Sequence, residues 1–175
     1  VKADNQAVWI TPDGYVKWHY LKGRPVPGDG VVAGDGVIPH DQTVFGTLAS
    51  VICFDMDHPV YIRQAGRSAT DVMLVPANDW HDIVPFHTYM AMFRGIEYGF
   101  SIVRVTGNGL SAAFDYQGRT LATADFVTTK QAMASHMPTR GVKTIYTVIG
   151  DLFAWLSIAG FVILVGLALV RPIRS

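Results

Sequence analysis

A single cysteine, Cys53, serves all 175 residues, so no internal disulfide framework holds this chain together. Its thiol is left as a small buried hydrophobe, a reactive group or a link to another chain. Charge of neither sign is in excess. The chain carries 14 Lys and Arg against 14 Asp and Glu, so it presents no basic field to a phosphate backbone, and nucleic acid is not expected as a partner. The opening VKADNQAVWITPDG lacks the pattern of a secretory signal, so export would require a signal or earlier spans upstream of residue 1. There is no internal repeat and no low-complexity segment.

One long stretch lacks charge altogether. Hydrophobic residues make up 50% of the chain, high for a soluble domain, and the excess is concentrated near the C-terminus. Leu152 to Val170, LFAWLSIAGFVILVGLALV, is uncharged and close to the ~20 residues a helix needs to cross the hydrocarbon layer. A core helix is the alternative, but a run apolar on every side leaves no face for water. Arg171 and Arg174 follow it at once, and basic residues in short tails stay cytoplasmic, which puts the folded part on the extracytoplasmic side of a cell membrane. Arg140 and Lys143 on the other flank pull the opposite way. The expected organisation is a folded domain over 1–148, a transmembrane helix over 149–171 and a short basic tail over 172–175.

AVWI, PDG and YVKWHYLK read as strand, turn and strand. In the second strand Val16, Trp18, Tyr20 and Lys22 share the more apolar face, while Tyr15, Lys17, His19 and Leu21 share the other. GRPVPGDGVVAGDGVIPHDQ is dense in Gly and Pro and is expected to be a long surface loop bordering a site. TVFGTLASVICF then predicts a buried strand ending near Cys53, HPVYIRQAGRSA a short helix with Pro59 in its first turn, and DVMLVPAND another buried strand. IVPFHTYMAMFRGIEYG has helical spacing closed by a Gly, and FSIVRVTGNGLSAAFDYQG predicts two strands joined through Gly107, Asn108 and Gly109. Strands alternating with helices point to an α/β layered fold.

An isolated cysteine is most often packing, but Cys53 stands where a buried strand meets a helix. At such an elbow the side chain is presented at the sheet edge, and the amides that follow favour a thiolate and a developing oxyanion. Lys22 ends its strand on the apolar side, where an unpaired cation is costly, so it is either an edge lysine reaching for water or a partner for that thiol.

Taken in order, YLKGRPVPGD, VICFDMDHP, DVMLVPANDW and HTYMAMFRGIEYGFSIVRVTGNGLSAAFDYQGRTLA resemble the C-terminal part of a carbon–nitrogen hydrolase of the nitrilase superfamily. Within it the likeness is greatest to the apolipoprotein N-acyltransferases, in which a final membrane helix also follows the nitrilase domain. The resemblance runs from about Gly14 to the end. It implies the C-terminal part of a nitrilase-like α-β-β-α sandwich followed by one transmembrane helix, and a Glu–Lys–Cys triad that needs no cofactor and no metal. In that triad the glutamate takes the thiol proton, the cysteine attacks a carbonyl and the lysine helps hold the oxyanion.

Carried over by position, Cys53 matches the nucleophile and Lys22 the lysine, with Lys17 as competitor. Phe54 and Asp55 match the family's residues after the cysteine, Asp55 being otherwise a helix cap. Asp29 stands near a second acid of the acyltransferases. Asn78, Asp79 and Trp80 match a loop beside the cysteine and would otherwise be an ordinary turn. Arg94 and Glu97 match a structural ion pair, or form a solvated one. TGNG departs from the acyltransferases' TNNG at Gly107. The family's catalytic glutamate lies far upstream, whereas the acids before Lys22 here are Asp4 and Asp13, so the chain is expected to be a fragment or a remnant that does not turn over alone.

Three enzymatic outcomes and one other follow. By resemblance, an acyl group passes from a membrane phospholipid through Cys53 to a lipoprotein's amino terminus, or water releases it and the substrate is a small amide or nitrile. A membrane-tethered binding protein without turnover is the third, and a homo-oligomer is compatible with any of them. Metal-dependent hydrolysis through Asp55, Asp57, His58, His81 and His87 is the weakest, because those spacings form no established ligand pattern.

If Leu152 to Val170 is the anchor, a chain ending near Gly150 is released from membranes by a carbonate wash that retains the full chain. Retention of the shortened chain would show that another segment holds it.

Overall fold

The computed structural model describes residues 3–125 and 132–170. Two antiparallel strands open it, β1 (Gln6–Ile10) and β2 (Val16–Leu21), with Trp9 opposite Trp18 and their rings stacked at 5.7 Å. The expected alternation holds from Trp18 onward: Trp18 is half-buried, Tyr20 and, just past the strand, Lys22 are buried, and Lys17 and His19 face solvent, whereas Val16, expected on the same face, is exposed at the strand's start.

Expected loop and strand boundaries differ after that. The loop predicted over Gly23–Gln42 ends early, in β3 (His40–Thr43), and the strand predicted over 43–54 is a tight turn followed by β4 (Gly46–Ser50). Sequence pattern misses β3 because HDQT is an edge strand with no apolar face to show. Thr43 and Gly46 pair across the turn, leaving Val44 and Phe45 exposed.

The rest is built on two crossovers. From β4 the chain passes through a 3-10 turn, Cys53–Asp57, into α1 (Pro59–Arg67) and returns as β5 (Val72–Asn78); α2 (Phe86–Tyr98) then leads to β6 (Ser101–Gly107). β4, β5 and β6 are parallel neighbours, so both helices pack on one face and touch each other. β7 (Ser111–Phe114) and β8 (Thr120–Ala124) add on antiparallel, giving one six-stranded sheet in the order β3-β4-β5-β6-β7-β8. β8 was not expected, its TLATA being half-exposed throughout.

Under the helices, Met73, Val75, Ile102 and Phe114 meet Ile62, Ala65 and Ala91 in a core that is almost fully buried. Each of these larger apolar side chains contributes about 1.5–3 kcal/mol by leaving water. Leu74 and Val103 pair on the other sheet face and are half-buried, while Pro76 and Val105 beside them are exposed.

The chain then runs back along the domain. The Val142 amide donates to Gly99 O at 2.7 Å, the Gly141 amide to Asp71 Oδ1 at 2.7 Å, and Ser101 Oγ to Pro138 O at 3.0 Å. A short α3 (Ile145–Ile149), capped by Thr144, docks where Arg63 of α1 donates to Thr147 O and Val148 O. Gly150 breaks the path, and α4 (Leu152–Val170) follows with no residue buried. By length and composition α4 can cross a membrane. Ile149 therefore closes α3 rather than opening the apolar helix, and Arg171, Arg174 and the rest of the basic tail lie outside the described residues.

Gly99 ends α2 with φ +78°, and a Cβ there would stand 1.9 Å from Val142 O. Gly99→Ala is expected to lower unfolding stability by more than the ~1–3 kcal/mol of the left-handed backbone alone, read in a denaturant titration. A loss below about 0.5 kcal/mol would show that the returning segment does not constrain the helix end.

Candidate active site

The carboxyl ends of the parallel strands meet at one sheet edge, where open α/β sheets bind ligands. β4 leads into Cys53 and β5 ends at Asn78. Cys53 takes φ +50°, a left-handed conformation uncommon for a side chain with a Cβ, and such a residue persists only where its surroundings hold it. The sharp bend turns Sγ to the cavity while the next residues continue as the 3-10 turn.

The cavity has a volume of about 410 Å³. Lys22, Asp29, Cys53, Phe54, Asn78 and Trp80 line it together with Asn5, Gln6, Val26, Ile83 and His87. Six of the residues matched to the family by position thus converge on one space. The two lysines separate clearly. Lys22 is 3% exposed and lines the cavity, whereas Lys17 points outward and pairs with Asp41 at 2.5 Å. Asp29, on the loop after β2, reaches the cavity from the solvent side.

Asp55 and Asp79 stand behind the lining. Asp55 is fully buried and accepts from Tyr20 Oη at 2.6 Å, the Arg24 amide at 2.6 Å and the Ile52 amide at 2.8 Å. The Asp55 amide in turn donates to Ile52 O and closes the 3-10 turn, so Asp55 is not the cap of the following helix: α1 starts after His58, with no side-chain cap. Burial pushes the Asp55 carboxyl up, against the pull of its three donors and of the Lys22 charge. Burial and then the Asp55 charge push the Tyr20 phenol above its ordinary range, which keeps it a donor. Tyr20 Oη also meets Tyr61 Oη at 2.8 Å, and the Arg24 guanidinium lies 4.6 Å over the Tyr61 ring.

Asp79 Oδ1 lies 3.9 Å from Cys53 Sγ, 2.8 Å from His87 Nδ1 and 2.7 Å from Arg104 Nη2. His87 Nε2 lies 3.0 Å from Asp57 Oδ1 at the end of the cysteine turn. The sequence reading missed Arg104, although an arginine between the inward positions Ile102 and Thr106 of β6 is a signal, since a cation on a core face must have an anion waiting. His87 was considered there for metal binding alone.

The five residues weighed for metal do not assemble, because His81 is exposed, His58 packs edge-on against Phe54 and Asp55 is filled by donors. Among the described residues, Cys53, Asp79 and His87 have ligand atoms within 4.8 Å of one another, with Arg104 already supplying the cation there. Arg94 and Glu97 pair at 2.8 Å on α2, away from the cavity lining, where Glu97 O accepts from Thr144. Glu97 is the chain's one glutamate.

The pattern of the carbon-nitrogen hydrolases matches residues 2–136. The chain belongs to the carbon-nitrogen hydrolase family. An apolipoprotein N-acyltransferase of Vibrio vulnificus is 30% identical over 132 residues, covering 72% of this chain and 26% of that protein. The chain therefore spans about a quarter of the length of such relatives. Among solved structures, the carbon-nitrogen hydrolase from Helicobacter pylori G27 superposes with a TM-score of 0.67 at 16% identity, over 78% of this chain and 56% of that one. A mutant amidase from Nesterenkonia sp. AN1 superposes at 0.64 with 19% identity, over 69% and 51%. The fold is a mixed α/β nitrilase-like fold with an apolar C-terminal helix.

In this member of the family Asp55 couples the turn carrying Cys53 to the strand end carrying Lys22. Asp55→Ala takes the acceptor from the buried Ile52 amide and the part-buried Arg24 amide, while the Tyr20 hydroxyl keeps Tyr61, and is expected to cost more than about 2 kcal/mol, at ~1–3 kcal/mol for each unsatisfied group. Tyr61→Phe removes one outlying hydroxyl and is expected to cost about 0.5–1.5 kcal/mol. Comparable denaturation midpoints for the two variants would count against Asp55 as the tie.

Proposed function

We propose that this chain carries the cysteine and lysine of a nitrilase-superfamily active site that works through a thioester at Cys53. The observation that carries the reading is the convergence of a left-handed Cys53 and a nearly buried Lys22 on one cavity. The thiolate attacks a carbonyl, the Lys22 ammonium and the amides of the cysteine turn hold the oxyanion, and the leaving alcohol or amine departs with a proton. A nucleophile then attacks the thioester, takes the acyl group and returns the electron pair to sulfur.

Transfer to an amine is the preferred outcome. The curated relatives named above are apolipoprotein N-acyltransferases, and α4 would hold the cavity near a bilayer that contains both a phospholipid acyl donor and a lipoprotein acceptor. The folded part then lies on the extracytoplasmic side. In this reading the acceptor of the thiol proton is a carboxylate of the longer polypeptide, since Glu97 is engaged by Arg94 outside the cavity. Hydrolysis of a small amide is the second reading, favoured by the amidase from Nesterenkonia sp. AN1, whose active-site cysteine carries the acetamide moiety of fluoroacetamide covalently.

In the full-length enzyme, incubation with phospholipid is expected to leave an acyl mass on the peptide containing Cys53, and Cys53→Ala to abolish it. Lys22→Ala is expected to lower kcat by ~10²–10³, the usual cost of one oxyanion donor, with Lys17→Ala near wild type. Turnover surviving in Cys53→Ala would end the thioester reading, and equal mild losses from both lysine variants would remove Lys22 from it. An adduct formed from a small amide and not from phospholipid would favour the hydrolase.

A further inference from the structure

Behind the cavity wall, one oxygen is shared three ways. Asp79 Oδ1 faces the Cys53 thiol at 3.9 Å, the His87 ring at 2.8 Å and the Arg104 guanidinium at 2.7 Å. An ionised carboxylate so close to sulfur works against a second negative charge there, because like charges at this range in a water-poor site repel strongly. The carboxylate is tolerable to a thiolate only if its charge is taken up elsewhere.

His87 is placed to do that. It sits in the first turn of α2, 4% exposed, with its other nitrogen 3.0 Å from Asp57 Oδ1. The charged groups facing it are Asp57 from the cysteine turn, Asp79 from the end of β5 and Arg104 from β6, with the Cys53 thiol alongside. A neutral imidazole has one N–H and leaves a lone pair facing either a carboxylate or Arg104 Nη2, 3.0 Å from Nδ1, whereas an imidazolium donates to Asp79 and meets Asp57 Oδ1 as an ion pair at 3.0 Å. Burial lowers His87, yet the contacts with Asp57 and Asp79 outweigh it and hold the ring above its ordinary value. Burial likewise works to raise Asp79, but the His87 hydrogen bond and the Arg104 charge hold it below the usual carboxylate range.

We propose that His87, as an imidazolium, is a positioning residue for the nucleophile: it ties the turn carrying Cys53 to the wall carrying Asn78 and Asp79, and it neutralises Asp79 so that negative charge can develop on sulfur. This rests on the reading of Cys53 as the nucleophile. The sign follows from the direction of the shift. The charged-ring contribution is complete below the unfolded value and is lost as pH rises through the higher folded one.

Because Cys53 is the one cysteine, alkylation by iodoacetamide reports on it alone and needs no turnover. In the full chain in detergent near neutral pH, His87→Gln is expected to slow alkylation on the order of tenfold. Asp57→Asn is expected to act in the same direction but less. The wild-type advantage over His87→Gln should shrink toward unity as pH rises and the wild-type ring loses its proton. A merely structural role would loosen the turn, giving equal or faster alkylation at a ratio that does not change with pH, and that result overturns the proposal. If circular dichroism shows His87→Gln unfolded, Asp57→Asn decides by the same criteria. Slowed alkylation in an enzyme that never forms an acyl adduct would strike the thioester reading alone, while unchanged alkylation in one that does would strike His87 alone.

Discussion

The Asp55 carboxylate accepts three hydrogen bonds at zero exposure, one from the Tyr20 hydroxyl and two from the Arg24 and Ile52 amides, and those donors come from both sides of the cavity. Tyr20 and Arg24 bracket Lys22, and Ile52 precedes Cys53. One buried group therefore sets the separation of the two side chains on which the proposed chemistry depends. An ion in such a place would be very costly unless all its lone pairs were engaged, so the arrangement is satisfied as a unit or not at all. Tyr61 and the Arg24 guanidinium extend the same network outward and close it from water.

A second set of charges does the corresponding work on the other side of Cys53. Asp57, Asp79, His87 and Arg104 join the end of the cysteine turn, the end of β5, the start of α2 and the middle of β6. Removing a single partner from such a cluster leaves an uncompensated buried charge, a loss of ~3–5 kcal/mol. Between the two networks Cys53 holds a left-handed backbone that it would not adopt unaided. The parallel β4-β5-β6 crossovers explain why everything lies at one edge, since each returning strand delivers its carboxyl end beside the last.

Much of this is legible in the chain itself. Period-two alternation places Tyr20 and Lys22 on the inner face of β2, helical spacing and a terminal Gly outline α2, and Pro59 starts α1, because each depends on contacts within a few residues. The apolar run of α4 reads directly because a span is set by length and lack of charge. The strands that escape notice, β3 and β8, lie at the two edges of the sheet, where half-exposed positions carry no periodic signal.

What the amino-acid order determined alone was local: the inner strands and the longer helices, the elbow at Cys53, the inward face of Lys22 and the membrane-length helix. Which charges neighbour the thiol was decided by tertiary structure. Asp79 and Arg104 are 25 residues apart, Asp55 and Tyr20 are 35 apart, and Asp57 meets His87 through the packing of α2 against the cysteine turn. No short-range pattern links such pairs. Their partnership follows from the low-dielectric interior in which the crossovers bury them, where a charge persists only beside its complement.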